Sequence, residues 1–152
     1  MIYLDNAATT AMHANIFEQM KPYYLETYGN PGSIHAAGRG ALHAVMDARA
    51  TVAKRLGCMP RQVTFTSGGT EADNQAIATA AHFGQRIGRM RMVASSIEHP
   101  AVLRALEAWK ARGFEITLVD PDETGVVQAS SIHDALDDDV CLVSVMAANN
   151  ET

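Results

Sequence analysis

The chain is poor in the residues that mark several protein classes. Only two cysteines, Cys58 and Cys141, stand in its 152 residues. They are too few and too far apart for a disulfide framework or a zinc-type cluster, so a reducing compartment, the cytoplasm, is expected. Cys141 falls in an apolar run and reads as core, whereas Cys58 follows Gly57 and reads as a turn thiol. No apolar run is long enough to span a bilayer, and Met1 leads into Ile2-Tyr3-Leu4-Asp5 without a basic and then apolar signal. No membrane association is expected. A formal charge of −5 with no clustered basic face argues against a nucleic-acid partner. The densest positive run, Arg86, Arg89 and Arg91, reads as the solvated end of a helix. Internal repeats and low-complexity segments are missing too.

What remains is a composition, 47% hydrophobic, that can fill a core. Residues 1–14 form an arm, and helical spacing of Ile16, Met20 and Tyr23 predicts a helix over 15–25. Gly29-Asn30-Pro31-Gly32-Ser33 must be a loop. A long amphipathic helix is expected over 36–56, turning Leu42, Val45, Met46, Val52 and Leu56 inward and closing at Gly57. From residue 63 the rhythm changes. Strands are expected at 63–66, 92–95, 114–119 and 141–146, and helices at 71–83, 101–111 and 131–136. This alternation predicts an α/β fold with a mostly parallel sheet and flanking helices. The chain stops just after the last core-type strand, at Asn149-Asn150-Glu151-Thr152, which reads as an incomplete layer.

Three segments carry chemistry. In Thr66-Ser67-Gly68-Gly69-Thr70-Glu71, a strand meets a glycine turn that opens a helix. Such a turn lets backbone amides and the Thr70 hydroxyl reach an anion such as phosphate, or is merely a tight connection. It lacks the third glycine of a dinucleotide fingerprint and the lysine of a triphosphate loop. In Glu98-His99-Pro100-Ala101, just past a strand, an imidazole could stack on a flat ring or move protons, or could simply begin a helix. Asn149-Asn150, past the last strand, could bond a ligand oxygen or turn the chain. In a parallel sheet these strand ends share one edge, so Gly69, Thr70, His99 and Asn150 are expected to converge on a phosphorylated aromatic ligand.

Read together, several segments resemble the cysteine desulfurases, within the class V aminotransferases of pyridoxal-phosphate fold type I. They are Tyr3-Leu4-Asp5-Asn6-Ala7-Ala8-Thr9-Thr10, Gly29-Asn30-Pro31-Gly32-Ser33-Ile34-His35, Thr66 to Asn74, Ser96-Ile97-Glu98-His99-Pro100-Ala101-Val102 and Asn149-Asn150-Glu151-Thr152. The resemblance runs the length of the chain. It implies the large domain of that fold, with residues 15–152 as its front half. It implies pyridoxal 5'-phosphate as cofactor, held at its phosphate by Gly69 and Thr70, stacked on by His99 and bonded at its phenolic oxygen by Asn150, with binding weak or absent without the C-terminal part of the enzyme. His99 is then the catalytic proton handler. Asn30 and His35 are implied to approach the active site near a dimer interface, and the 6–10 arm its mouth.

The implied activity converts L-cysteine to L-alanine and passes the sulfur on as an enzyme persulfide, for iron–sulfur cluster or other sulfur transfer. Implied partners are the remainder of the same enzyme, a second copy in a homodimer and a sulfur-acceptor scaffold protein. The family pattern goes on to an aspartate, a histidine–lysine pair that forms the Schiff base, an arginine and a mobile cysteine. None of Lys21, Lys54, Lys110, Cys58 or Cys141 matches those positions. The alternatives are a non-catalytic binding fragment and another class V enzyme such as a selenocysteine lyase.

Overall fold

In the computed structural model, which describes residues 2–149 and 151, the chain divides after Phe65 into two units, residues 1–65 and 66–152. The first carries helix α1 (Ala14–Leu25) and helix α2 (Ala36–Leu56). α1 contains Pro22, whose carbonyl accepts from Glu26 and Thr27 as the helix unwinds. α2 begins at His35, whose Nδ1 accepts from the Gly38 amide, and ends at Gly57, which takes the left-handed conformation at φ +67°.

The buried face of α2 is not the one the apolar spacing predicts. Gly38, Ala41 and Ala53 are buried, while Leu42, Met46 and Leu56 are exposed. Close backbone approach selects that face. A Cβ on Gly38 would come 2.2 Å from the Ser33 carbonyl oxygen, and one on Gly29 would come 2.4 Å from that of Ala37. Only small residues permit such contact.

A short 3₁₀ turn (Pro60–Gln62) leads to Val63, which is buried and extended at φ −99°, ψ 123°. The strand expected over 63–66 does not form among the described residues. β-branched residues favour an extended backbone, but a strand also needs a neighbour to complete its ladder.

The second unit is the expected α/β layer. It runs α3 (Gly69–Ile87), β1 (Arg91–Ser95), α4 (Pro100–Lys110), β2 (Glu115–Val119), α5 (Ala129–Asp134) and β3 (Val140–Ser144). The strands pair in the order β2-β1-β3, all parallel, so β1 is central and β2 reaches β3 by crossing over it. Arg91 to Ser95 pair in register with Glu115 to Val119. Against β3 the register slips between Arg91 and Met92, which leaves Cys141 as the extra residue, and its thiol donates to the Arg91 carbonyl at 3.3 Å. Half-burial pushes the Cys141 thiol pKa up, as befits a packing residue.

Met92, Val93, Ala94 and Ser95 are almost wholly buried, as a central strand requires. Met92 and Ala94 pack against Ile77 and Ala81 of α3 and against Val102, Ala105, Leu106 and Trp109 of α4. These α4 positions recur at helical spacing, so one stripe of the helix faces the sheet. Trp109 meets Phe114 edge-on at 5.5 Å between ring centroids and His82 likewise at 5.1 Å.

Of the three arginines read as a helix end, only Arg86 sits in the last turn of α3. Arg91 lies in β1 instead. Its guanidinium pairs with Asp137, donates to the Thr117 hydroxyl at 3.0 Å and lies 3.4 Å from Glu115, so it ties neighbouring strands together.

Three carboxylates in this unit are held below their ordinary pKa values. Glu71 is lowered chiefly by the Ser67 hydroxyl, Asp122 by the Thr124 hydroxyl and the Gln128 amide, and Asp137 by the Asp139 amide and then Arg91. Because each folded-state value lies below the unfolded one, their stabilisation is complete above the ordinary values of 3.8 to 4.5. It is lost as pH falls through the lowered values. Denaturant midpoints should therefore stay level from about pH 7 to about pH 5 and drop below about pH 4. A level midpoint down to about pH 2 would show that these bonds do not contribute.

Candidate functional site

The turn into α3 is braced from within. The Thr66 hydroxyl donates to the Gly68 carbonyl at 3.0 Å, and the Ser67 amide and hydroxyl donate to the Glu71 carboxylate at 2.7 and 2.6 Å. The first bond of the helix runs from the Ala72 amide to the Gly68 carbonyl, 3.1 Å. The amides of Gly69, Thr70 and Glu71 therefore lie ahead of any intrahelical acceptor, at the positive end of a 19-residue helix. Gly68 is extended at φ 170°, which any residue adopts. A Cβ added to Gly68 or Gly69 would meet nothing within 4 Å. Neither backbone strain nor protein packing calls for glycine there; what lies beside the free amides is open space.

His99 caps α4. Its Nδ1 accepts from the Ala101 amide at 3.1 Å, so in the neutral ring the proton sits on Nε2. The local helix-start role is thus real, and among the described residues Nε2 has no hydrogen-bond partner. Thr70 and His99 line one cavity of about 280 Å³, together with Asn74, Pro100, Ala101 and Arg104. Asn74 donates to the Thr70 carbonyl at 2.8 Å and stiffens the first turn of α3. Asn74 stands in a segment that carries the family resemblance but has no role assigned from the sequence, and neither has Arg104. Helical spacing could have found both, since Asn74 lies four residues after Thr70, and Arg104 four after Pro100.

Beyond β1 and β3 the two loops are bonded together. Glu98, 7% exposed, accepts from the Ser95 hydroxyl at 2.7 Å, the Met146 amide at 2.6 Å and the Ser144 hydroxyl at 3.1 Å. Asn149 donates through Nδ2 to the Ile97 carbonyl at 2.8 Å. Asn150 itself lies outside the described residues. Of the three strands expected to end on one edge, β1 and β3 form among the described residues, whereas 63–66 does not, although Val63 itself is extended. In the first unit, Asn30 Oδ1 accepts from the Gly32 amide at 2.8 Å and His35 caps α2, so both serve their own loop.

A family profile described as "Aminotransferase class-V" matches residues 2–152. The chain belongs to the class V aminotransferase family. Among curated relatives in this family, it is 45% identical over 150 residues to the putative cysteine desulfurase IscS 1 of Bacillus subtilis (strain 168). That match covers 99% of this chain and 39% of the relative. The cysteine desulfurase IscS of Methanosarcina thermophila is 42% identical, with 99% and 37% covered. Among solved structures, a NifS-like protein superposes with a TM-score of 0.94 at 39% identity, covering 99% of this chain and 41% of that one. DndA from Streptomyces lividans superposes at 0.86 with 38% identity, 99% and 42% covered. The chain thus spans about two fifths of the length of these relatives.

Class V members depend on pyridoxal phosphate, and the residues present fit that group. Open space at Gly68 and Gly69, three amides without an intrahelical acceptor and the Thr70 hydroxyl suit a phosphate. The imidazole of His99 opens on the cavity that Thr70 also lines. Lys110, the lysine of this unit, stands in the last turn of α4 and lines a different hollow with Leu103, Leu106, Glu107, Ile116 and Leu118.

Proposed function

We propose that this chain supplies the phosphate cradle and the ring-contacting histidine of a pyridoxal-phosphate-dependent cysteine desulfurase. The observation that carries the reading is that Thr70 and His99, each at the start of a different helix, line one cavity beside a glycine turn with open space at its amides.

When bound, the cofactor supplies an electron sink that loosens bonds in an attached amino acid. Gly69 and Thr70 anchor the phosphate through backbone amides and a hydroxyl. The His99 ring stacks on the pyridine, oriented by its Nδ1 bond to Ala101, and its Nε2 is the nitrogen that holds or gives a proton. Asn150 bonds the phenolic oxygen. The substrate is L-cysteine and the products are L-alanine and a sulfur atom passed to a thiolate as a persulfide. The names of the relatives, cysteine desulfurases, support this substrate, and iron–sulfur cluster assembly is the proposed use of the sulfur. In this reading residues 1–14 are an arm at the substrate mouth, and residues 15–152 the front half of the cofactor-binding domain. The enzyme works in the cytoplasm as a homodimer and delivers sulfur to an acceptor scaffold protein.

Gly69→Ala separates this reading from a mere tight turn. Among the described residues an added methyl meets no atom within 4 Å, and alanine favours a helix over glycine by about 0.5–1 kcal/mol, so stability should hold or rise. Cofactor affinity should fall at least about tenfold, because the methyl enters the space of the phosphate. Titration with pyridoxal phosphate of this chain joined to the remainder of the enzyme, which supplies the Schiff-base lysine, reads the affinity by visible absorbance, and alanine release from cysteine reads the activity. Equal affinity in Gly69→Ala and the parent would remove the phosphate cradle. A loaded enzyme that makes no alanine from cysteine would remove the substrate.

A further inference from the structure

A buried carboxylate is costly unless hydrogen bonds replace its water, and Glu98 has three, drawn from two separate strands. Ser95 is the last residue of β1, Ser144 the last of β3, and Met146 lies two residues further on. No Lys or Arg pairs with Glu98 among the described residues. Moving either loop would strip donors from a carboxyl group that is only 7% exposed. The carboxylate therefore tolerates only one relative placement of the two strand ends.

Its chain neighbour is His99. The intervening loop is held on two further sides, by the Ser96 amide donating to the Val119 carbonyl at 2.9 Å and by Asn149 donating to Ile97. From these bonds we infer that Glu98 is a positioning residue for the cofactor site: it fixes the backbone that aims the His99 ring and registers it against the segment leading to Asn150. It does not touch the cofactor and acts through its neighbours. The inference rests on the reading of His99 as the ring-contacting residue.

Three variants test it, in the intact protein with and without pyridoxal phosphate. Glu98→Gln keeps all three bonds if the Ser144 hydroxyl turns to accept from the new amide, whereas Glu98→Ala loses all three and Ser144→Ala loses one. Amide hydrogen exchange at Met146 and Ala101 reads the geometry without cofactor, since the Ala101 amide reports on the His99 ring. In Glu98→Ala both amides should exchange at least about tenfold faster, in Ser144→Ala a few-fold faster, and in Glu98→Gln within about twofold of the parent. With cofactor bound to saturation, the circular dichroism of its visible band should weaken in Glu98→Ala and return in Glu98→Gln. Phe114→Ala is the control, losing stability in the core outside α4 while leaving the dichroic band unchanged.

Unchanged exchange at Ala101 in both Glu98→Ala and Ser144→Ala would overturn the inference. If Glu98→Ala does not fold, Ser144→Ala alone decides it. A parent protein that shows no cofactor band sinks the proposed function instead, and the Ala101 exchange still judges Glu98.

Discussion

Replacing His99 by alanine should cut the turnover of the cofactor-loaded enzyme on the order of 10²-fold or more, the range lost when a general acid or base is removed. The cofactor absorbance should shift as well, because the proposed function has the His99 ring contact the cofactor. That proposal adds a second role to the observed helix cap, and the experiment must part the two. The Nδ1 bond to the Ala101 amide makes His99 the cap of α4, and losing such a cap costs about 0.5–2 kcal/mol of stability. His99→Asn keeps a capping acceptor without an imidazole. It should recover the stability of the parent, whereas turnover and absorbance should stay as poor as in His99→Ala. Should His99→Asn recover turnover, His99 would be a helix-start residue only, and the proton-handling role would be gone.

Leu106→Ala carries the second large effect, about 2–5 kcal/mol of lost stability. Leu106 is 1% exposed and lies in the cluster where α4 meets Met92 and Ala94 of β1. Deleting its branched end leaves a cavity between a helix and the central strand, where neighbours fixed by strand pairing cannot close in. Leu118, half exposed on the edge strand β2, is the matched comparison, and its alanine variant should cost less than about 1 kcal/mol. Denaturant midpoints at constant slope check both. Equal losses for the two leucines would mean that the α4–β1 contact is not where the second unit keeps its core.

The two effects are linked by chain position. The helix that Leu106 anchors is the one His99 begins, and Pro100 at its first turn presets the backbone there. Core packing thus sets the direction of α4, while hydrogen bonds at its start set the direction of the imidazole.

Much of this was legible in the amino-acid sequence. Gly57 stops α2 in the left-handed conformation and Pro100 starts α4, so those boundaries follow from local backbone chemistry, whereas α3, expected over 71–83, runs on to its own left-handed glycine at Gly88. The alternation of strands and helices after residue 66 announces a parallel layer, and the parts of the proposed anion cradle before α3 are adjacent in the chain. The segments that resemble cysteine desulfurases are local too, which is why the family could be read from them.

Contacts between distant residues decided the rest. Residues 63–66 have strand-like composition yet form no strand, since no local signal says whether a neighbour is present. The buried face of α2 is set by a loop pressing on Gly38, not by its larger apolar residues. Arg91 belongs to a strand because Asp137, Thr117 and Glu115 lie within its reach. Glu98 shows the same limit at the site: its partners Ser144 and Met146 are 46 and 48 residues away in the chain. Sequence alone determined which chemical groups exist and which short turns they occupy. Only the tertiary structure decided which of them share a bond, because hydrogen bonding depends on distance in space.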